Sequence, residues 1–200
     1  GMGYVAPNPM VGSVIVYQDR IIGEGFHQCF GEAHGEVNAI RSVRNPSLLP
    51  ESTLYVNLEP CSHYGKTPPC ADQIISHNIP RVVVANMDPN PEVSGRGIQK
   101  LRDAGIEVET GIMEKEGHEL NRRFFTFHKH KRPYIIFKWA QSSDGFIDII
   151  RDADAPIQPN WITNPMGRIW VHKWRSREPA IMVGRKTAEK DNPRLNTRDW

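Results

Sequence analysis

His34-Gly35-Glu36 and, further on, Glu59-Pro60-Cys61-Ser62-His63-Tyr64-Gly65-Lys66-Thr67-Pro68-Pro69-Cys70 bracket the stretch on which the reading of this chain turns. One imidazole and two thiols can hold a zinc ion on three sides and leave its fourth position to water. Glu36, two residues after the histidine, is then placed to move protons at that water. The segments around these residues have clear periodicity. Val37, Ala39, Ile40 and Val43 follow His34 at close to helical spacing, so a helix is expected from His34 to Arg44. Glu36 falls in its first turn, where the positive end of the helix dipole favours a carboxylate. Thr53 to Leu58 reads as a buried strand that delivers Glu59-Pro60-Cys61 at its C-terminal end, and Cys70 opens a helix to His77.

Outward from this stretch, Val11 to Tyr17 and Ile21 to Phe26 are apolar and β-branched around a short polar turn, the pattern of a hairpin. Arg81 to Ala85 and Ile106 to Thr110 read as strands, Gly97 to Ala104 as a helix, and Glu114 to Phe127 as one amphipathic helix. Asp88-Pro89-Asn90-Pro91 is a turn. Strands alternating with helices imply an α/β domain with a mainly parallel sheet covered on both faces. Ligands in such sheets gather beyond the C-terminal ends of the strands. The polar run His128-Lys129-His130-Lys131-Arg132-Pro133 ends this domain, giving a boundary near residue 130. A second α/β pattern starts at 133, with strands at Tyr134 to Ala140 and Pro179 to Val183 and a helix that follows Trp161-Ile162-Thr163-Asn164-Pro165 and runs to about Arg175. That second pattern does not finish by Trp200, so the chain is expected to be a piece of a longer protein.

Bulk properties exclude several classes. The hydrophobic share of 38% and charged share of 24% are ordinary for a soluble globular protein. A formal charge of +2 and a pI near 8.5 are too mild to call for a polyanion. No apolar run approaches the roughly 18 residues of a membrane span, and no secretory leader is recognisable. Three cysteines make an odd number, which suits a reduced, cytoplasmic protein better than a disulfide framework. Cys29, away from the spaced pair, is expected to be a small buried thiol.

His63 and His77 are expected at the surface or in packing, which leaves the metal three protein ligands and an open position. Such a site lowers the pKa of water from roughly 16 to about 7. With Glu36 beside it, the arrangement resembles the H-x-E…P-C…C pattern of the zinc-dependent base deaminases, whose Glu is not a ligand. The reaction that follows is hydrolytic deamination. That signature usually has a short cysteine spacing, whereas Ser62 through Pro69 separate the cysteines here. The longer loop argues against cytidine, deoxycytidylate and tRNA adenosine. A deaminase of free nucleotides or tRNA remains the first alternative, although Lys129 to Arg132 is the one basic run and suits a linker. A non-catalytic, zinc-stabilised domain is the second, and Glu36 argues against it. A redox pair of Cys61 and Cys70 has less to recommend it than a ligand set.

Taken whole, Pro60 to Cys70 closely resembles the ligand loop of the bifunctional riboflavin-biosynthesis deaminase/reductases. Pro7-Asn8-Pro9-Met10-Val11-Gly12, Asp88-Pro89-Asn90-Pro91 with Gly95-Arg96-Gly97, Lys138 to Gly145 and Trp161-Ile162-Thr163 extend the resemblance over nearly the whole chain. The resemblance implies a cytidine-deaminase-like three-layer α/β/α zinc domain over 1–130, followed over 133–200 by the start of a dihydrofolate-reductase-like domain. It implies deamination of 2,5-diamino-6-ribosylamino-4(3H)-pyrimidinone 5′-phosphate, then NADPH-dependent reduction of the ribosyl to the ribityl group. His34, Cys61 and Cys70 match the family's zinc ligands, Glu36 its proton shuttle, and Asn8 a contact to the pyrimidine edge. Ala140, Trp161, Thr187 and Asp191 match NADP contacts, and Arg175, Leu195 and Arg198 contacts to the sugar phosphate. A guanidinium fork suits a phosphate dianion. The partner is then a small pyrimidine ribotide rather than nucleic acid or membrane, and the chain is expected to form a homo-oligomer. Gly35 stands where the family usually has Ala, which should loosen the helix start. Pro159 stands where a substrate-contacting serine is common. The resemblance implies a helix ahead of the Pro-Asn-Pro turn, expected to be missing from this chain, and a reductase domain that continues beyond this length.

Overall fold

The computed structural model describes residues 1–64, 68–91, 93–152, 154 and 160–200. Gln18 and Asp19 both take positive φ, 45° and 58°. A pair of such residues gives the turn whose twist suits a tight hairpin, and it joins β1 (Gly12–Tyr17) to β2 (Arg20–Phe26). β1 also pairs antiparallel with β3 (Thr53–Leu58). β3 pairs parallel with β4 (Arg81–Asn86), and β4 parallel with β5 (Glu107–Thr110). The order is β2-β1-β3-β4-β5.

The expected mainly parallel sheet is therefore mixed. β2 and β3 run in the same direction with a helix between them, as a crossover connection requires. β1 lies between the two and is antiparallel to both. Its N-terminal end consequently shares one sheet edge with the C-terminal ends of β2, β3 and β4.

On one face, α1 (Gly35–Ser42), α2 (Cys70–Ser76) and α3 (Arg96–Asp103) cover the sheet. Ala39, Ile40, Ala71, Ile74 and Leu101 meet Ile15, Leu54, Val56, Val82 and Val84 in one buried cluster. Burying side chains of this size stabilises a fold by roughly 1.5–3 kcal/mol each. On the other face the expected single helix is two, α4 (Glu114–Leu120) and α5 (Arg122–His130), broken at Asn121. The break has a cause: the Asn121 carboxamide bonds both backbone groups of Met10, accepting from its N–H at 2.8 Å and donating to its C=O at 2.9 Å. These are the three layers of the expected zinc domain. A 3-10 helix over Pro46–Glu51, started by Asn45, was not anticipated.

Cys29 is exposed, not buried. It sits in the turn after β2, where Glu32 N–H bonds its carbonyl at 3.1 Å and residues 28–32 are all exposed. His63 is exposed at the surface and His77 half-buried, its ring 2.8 Å from the Gln73 carbonyl. Gly35 is not a loosened start. A Cβ there would stand 2.8 Å from the Val11 carbonyl, so its bare Cα lets α1 lie directly on the entry to β1.

The chain divides into two units, Gly1–Tyr134 and Ile135–Trp200. In the second, Asn164 caps α6 (Pro165–Arg175) by accepting from Gly167 N–H at 2.8 Å, and Pro165 takes the first turn. This matches the expected helix. The strands expected at Tyr134 to Ala140 and Pro179 to Val183 carry no ladder among the described residues. A strand exists only with a hydrogen-bonded neighbour, and apolar groups of these runs such as Phe137 and Met182 stay exposed. α7 (Arg185–Asp191), with an Arg185–Glu189 ion pair one turn apart, follows instead. Pro159 lies outside the described residues.

Candidate metal centre

Because β1 is antiparallel, the loops before β1 and after β2, β3 and β4 meet at one edge of the sheet. Asn8, His27, Cys61 and Asp88 arrive on those loops, while His34 stands at the N-terminal cap of α1 and Cys70 opens α2. His34 Nδ1 is 3.5 Å from Cys61 Sγ and 3.3 Å from Cys70 Sγ. The three donor atoms lie within 4.8 Å of one another. A tetrahedral zinc, with Zn–S of about 2.3 Å and Zn–N of about 2.0 Å, sets neighbouring N and S donors roughly 3.6 Å apart. The donors are already at ligand spacing.

Glu36 is 2% exposed, and among the described residues its Oε2 has no hydrogen-bond partner. Burial is the largest cause pushing this carboxyl up to about 7. A buried carboxylate oxygen without a partner is costly, and the Glu36 carboxyl interacts with Cys70, Cys61 and His34, so a metal-bound water among them would relieve that cost. The two thiols are shifted in opposite directions. Cys61 is pulled down to about 4, chiefly by the hydrogen bond from the Cys70 thiol, and Cys70 is pushed up by that bond and by burial. A divalent cation is what allows both sulfurs to ionise. Donor type, donor spacing and the orphaned carboxylate oxygen all fit zinc.

The ligand loop is held from behind by Glu59, which is 5% exposed. Its Oε1 accepts from Gly97 N–H at 2.9 Å and Ile98 N–H at 3.4 Å, its Oε2 from Gly95 N–H at 3.0 Å and Asp88 N–H at 3.1 Å. Gly97 is obligatory at this contact: a Cβ would come within 1.9 Å of the Pro60 carbonyl. The start of α3 is thus locked onto Pro60-Cys61. The Asn8 loop is held in a similar way. Asn57 accepts from Gly12 N–H at 2.7 Å and donates to the Met10 carbonyl at 2.8 Å, opposite the Asn121 clamp. Asn121→Ala is expected to lower stability by about 2 kcal/mol, since it strands a backbone donor and weakens an acceptor. A urea titration measures this, and zinc content should not change.

Sequence reasoning did not reach His27, Asn57, Glu59 as a clamp, or Asn121. Glu59 was legible as an acidic group ahead of a proline and a ligand. The others become visible only with the register of β1 between its neighbours.

In the second unit, Arg175 and Arg198 do converge. Arg175 Nη1 donates to the Asn196 carbonyl at 3.0 Å, and Arg198 Nη1 to the Asn196 side chain at 3.2 Å; Leu195, 43% exposed, directly precedes Asn196. Ala140 is half-buried, and Trp161, Thr187 and Asp191 are exposed. These four share no hydrogen bond, ion pair or ring contact with one another among the described residues, and Trp161 instead stacks under Arg168, 4.9 Å from the ring centroid.

Two family models match the chain. The cytidine and deoxycytidylate deaminase zinc-binding region covers residues 2–86, and the RibD C-terminal domain covers 133–200. The riboflavin biosynthesis protein RibD of Aquifex aeolicus is 46% identical over 98% of this chain and 53% of its own length. The Synechocystis RibD is 47% identical over 97% of this chain and 51% of its own length. Among solved structures, Acinetobacter baumannii RibD superposes with a TM-score of 0.88 at 43% identity, covering 99% of this chain and 54% of that one. The Thermotoga maritima diaminohydroxyphosphoribosylaminopyrimidine deaminase/5-amino-6-(5-phosphoribosylamino)uracil reductase does so with a TM-score of 0.87 at 46% identity, covering 99% and 55%. The chain spans about half the length of the curated relatives it matches. Over the residues it spans, the chain is similar to RibD proteins, with a match to a deaminase-type zinc region followed by a match to the RibD C-terminal domain.

Proposed function

We propose that residues 1–130 form a zinc-dependent deaminase acting on 2,5-diamino-6-ribosylamino-4(3H)-pyrimidinone 5′-phosphate in riboflavin biosynthesis. His34, Cys61 and Cys70 hold the zinc, and Glu36 is the catalytic group. The observation that carries this reading is the buried, unpartnered Oε2 of Glu36 beside three donors at ligand spacing. Zinc, when bound, supplies the Lewis acidity that makes water a nucleophile near neutral pH. Glu36 takes the proton from that water as oxygen bonds to C2 of the pyrimidinone. It passes that proton to the ring nitrogen next to C2, then takes the remaining hydroxyl proton and delivers it to the amine nitrogen as the C2–N bond breaks, so water and the amine become a ring carbonyl and ammonia. Its burial favours this exchange, because a carboxyl near neutrality gives and takes a proton with similar ease. Asn8 orients the base. The Ser62–Pro69 insertion supports a ribotide substrate over cytidine, deoxycytidylate or tRNA, which we place outside the substrate range.

Residues 133–200 are proposed to be the N-terminal part of an NADPH-dependent reductase domain. Arg175, Leu195 and Arg198 would bind the sugar phosphate, and Ala140, Trp161, Thr187 and Asp191 the cofactor. Arg175 and Arg198 fit that role, meeting at Asn196. The four cofactor positions form no common seat here, so the reduction rests on the family alone and no step of it is derived. Among the described residues no helix is long and apolar enough to cross a membrane. We propose a cytoplasmic homo-oligomer.

The test is ammonia release from the diaminopyrimidinone ribotide, with cytidine and deoxycytidylate as comparators. Turnover is expected with the ribotide alone, stopped by a zinc chelator and restored by added zinc. Turnover that survives full zinc removal, or a preference for a comparator, would overturn the reading.

A further inference from the structure

His27 is 3% exposed and lies at the metal edge of the sheet without being a ligand candidate. Its Nδ1 is 3.1 Å from the Ala33 carbonyl, and its Nε2 is 3.4 Å from Asn8 Nδ2. A carbonyl oxygen can only accept, so Nδ1 carries the proton of the neutral ring. Nε2 is then a lone pair, and what it meets must donate. That fixes the Asn8 carboxamide: its NH2 turns to His27 and its Oδ1 turns away. The opposite flip would set two acceptors against each other. Asn8 is half-buried, and its Oδ1 has no hydrogen-bond partner among the described residues. The Ala33 carbonyl that sets the tautomer is also bonded by Asn38 Nδ2 at 3.3 Å and directly precedes His34 in the chain. The His27 ring meets the His34 ring edge-on, with centroids 5.4 Å apart. His27 therefore touches both the base-orienting asparagine and the support of the metal ligand.

We propose that His27 is a positioning residue that fixes the amide orientation of Asn8, so that this site presents a hydrogen-bond acceptor to a donor N–H on the edge of the pyrimidine ring. The inference deepens the deaminase reading and rests on it for the identity of the base. The specificity follows from the chemistry. A site with an acceptor locked in place discriminates against a ring whose facing nitrogen is methylated or unprotonated, because the locked oxygen is left unpaired. A free amide, able to flip, does not.

Two measurements on the zinc-loaded chain test it. Long-range proton–nitrogen correlation spectra of the His27 imidazole are expected to show the proton on Nδ1. A proton on Nε2 overturns the proposal, whatever the enzyme's activity. The second is a cycle of His27→Phe and Asn8→Ala, read as kcat/KM for ammonia release with zinc content verified. His27→Phe keeps the ring and removes both nitrogens. It should lower kcat/KM about tenfold, the size of one net hydrogen bond, and lower it no further once Asn8→Ala is present. Equal losses in both backgrounds would mean that His27 acts through packing alone, and would overturn it. Absence of ammonia release from the unmodified chain would count against the deaminase reading, and the imidazole spectrum would then decide the His27–Asn8 arrangement by itself.

Discussion

Glu36→Gln is expected to lower ammonia release roughly a thousandfold while zinc content stays full. Glutamine keeps the shape and most of the packing of a side chain that is 2% exposed. It cannot take a proton from water or hand one to a leaving amine. The three donor atoms belong to other residues, so the metal does not depend on it. Metal analysis and the ammonia assay on the same preparation separate the two effects. Loss of zinc with activity would assign Glu36 to the ligand set and move the site toward a structural role. Activity within a few fold of the unmodified chain would remove Glu36 from the chemistry.

Glu59→Ala is expected to be the most destabilising change in the first unit. Four backbone N–H groups, from Asp88, Gly95, Gly97 and Ile98, lose their shared acceptor side chain together. A stranded buried donor costs about 1–3 kcal/mol, and partial filling by water reduces the sum, so a loss of about 3–5 kcal/mol is expected. Glu59→Gln keeps one acceptor oxygen and should lose less. Because Gly97 abuts Pro60 and Cys61 follows Pro60, the alanine change should also weaken zinc binding, by about tenfold to a hundredfold. Hydrogen exchange at those four amides reads the effect locally, and a chemical denaturation reads it globally. Unchanged protection at Gly97 would show that the carboxylate is not what holds the start of α3.

The zinc domain was largely legible in the amino-acid sequence. Thr53–Leu58 is a strand at the expected bounds, Cys70 opens its helix, and His34 with Glu36 stands at the start of another, because period and end signals are strong at each. What was not legible is what depends on register. Hairpin connection makes β1 antiparallel to β2, but nothing local says that β1 then inserts between β2 and β3. The parallel expectation therefore failed there, and with it went His27, Asn57 and Asn121, whose roles exist only because the Asn8 loop joins the ligand edge. Asn121 also explains the missed break between α4 and α5, since a tertiary hydrogen-bond pair outweighed helical periodicity. In the second unit the capped helix was readable from Asn164-Pro165, whereas the two apolar runs were read as strands from composition alone and have no strand neighbours among the described residues.

The central claim is an open metal centre built from one imidazole and two thiolates. X-ray absorption at the zinc edge of the zinc-loaded chain tests it most directly. The expected result is two sulfur scatterers at about 2.3 Å and light N/O scatterers at about 2.0 Å in a four-coordinate shell, with one light scatterer replaced when a small anion or substrate analogue is added. A shell of four protein donors that does not respond to such a ligand, or one lacking two sulfurs, would contradict the account.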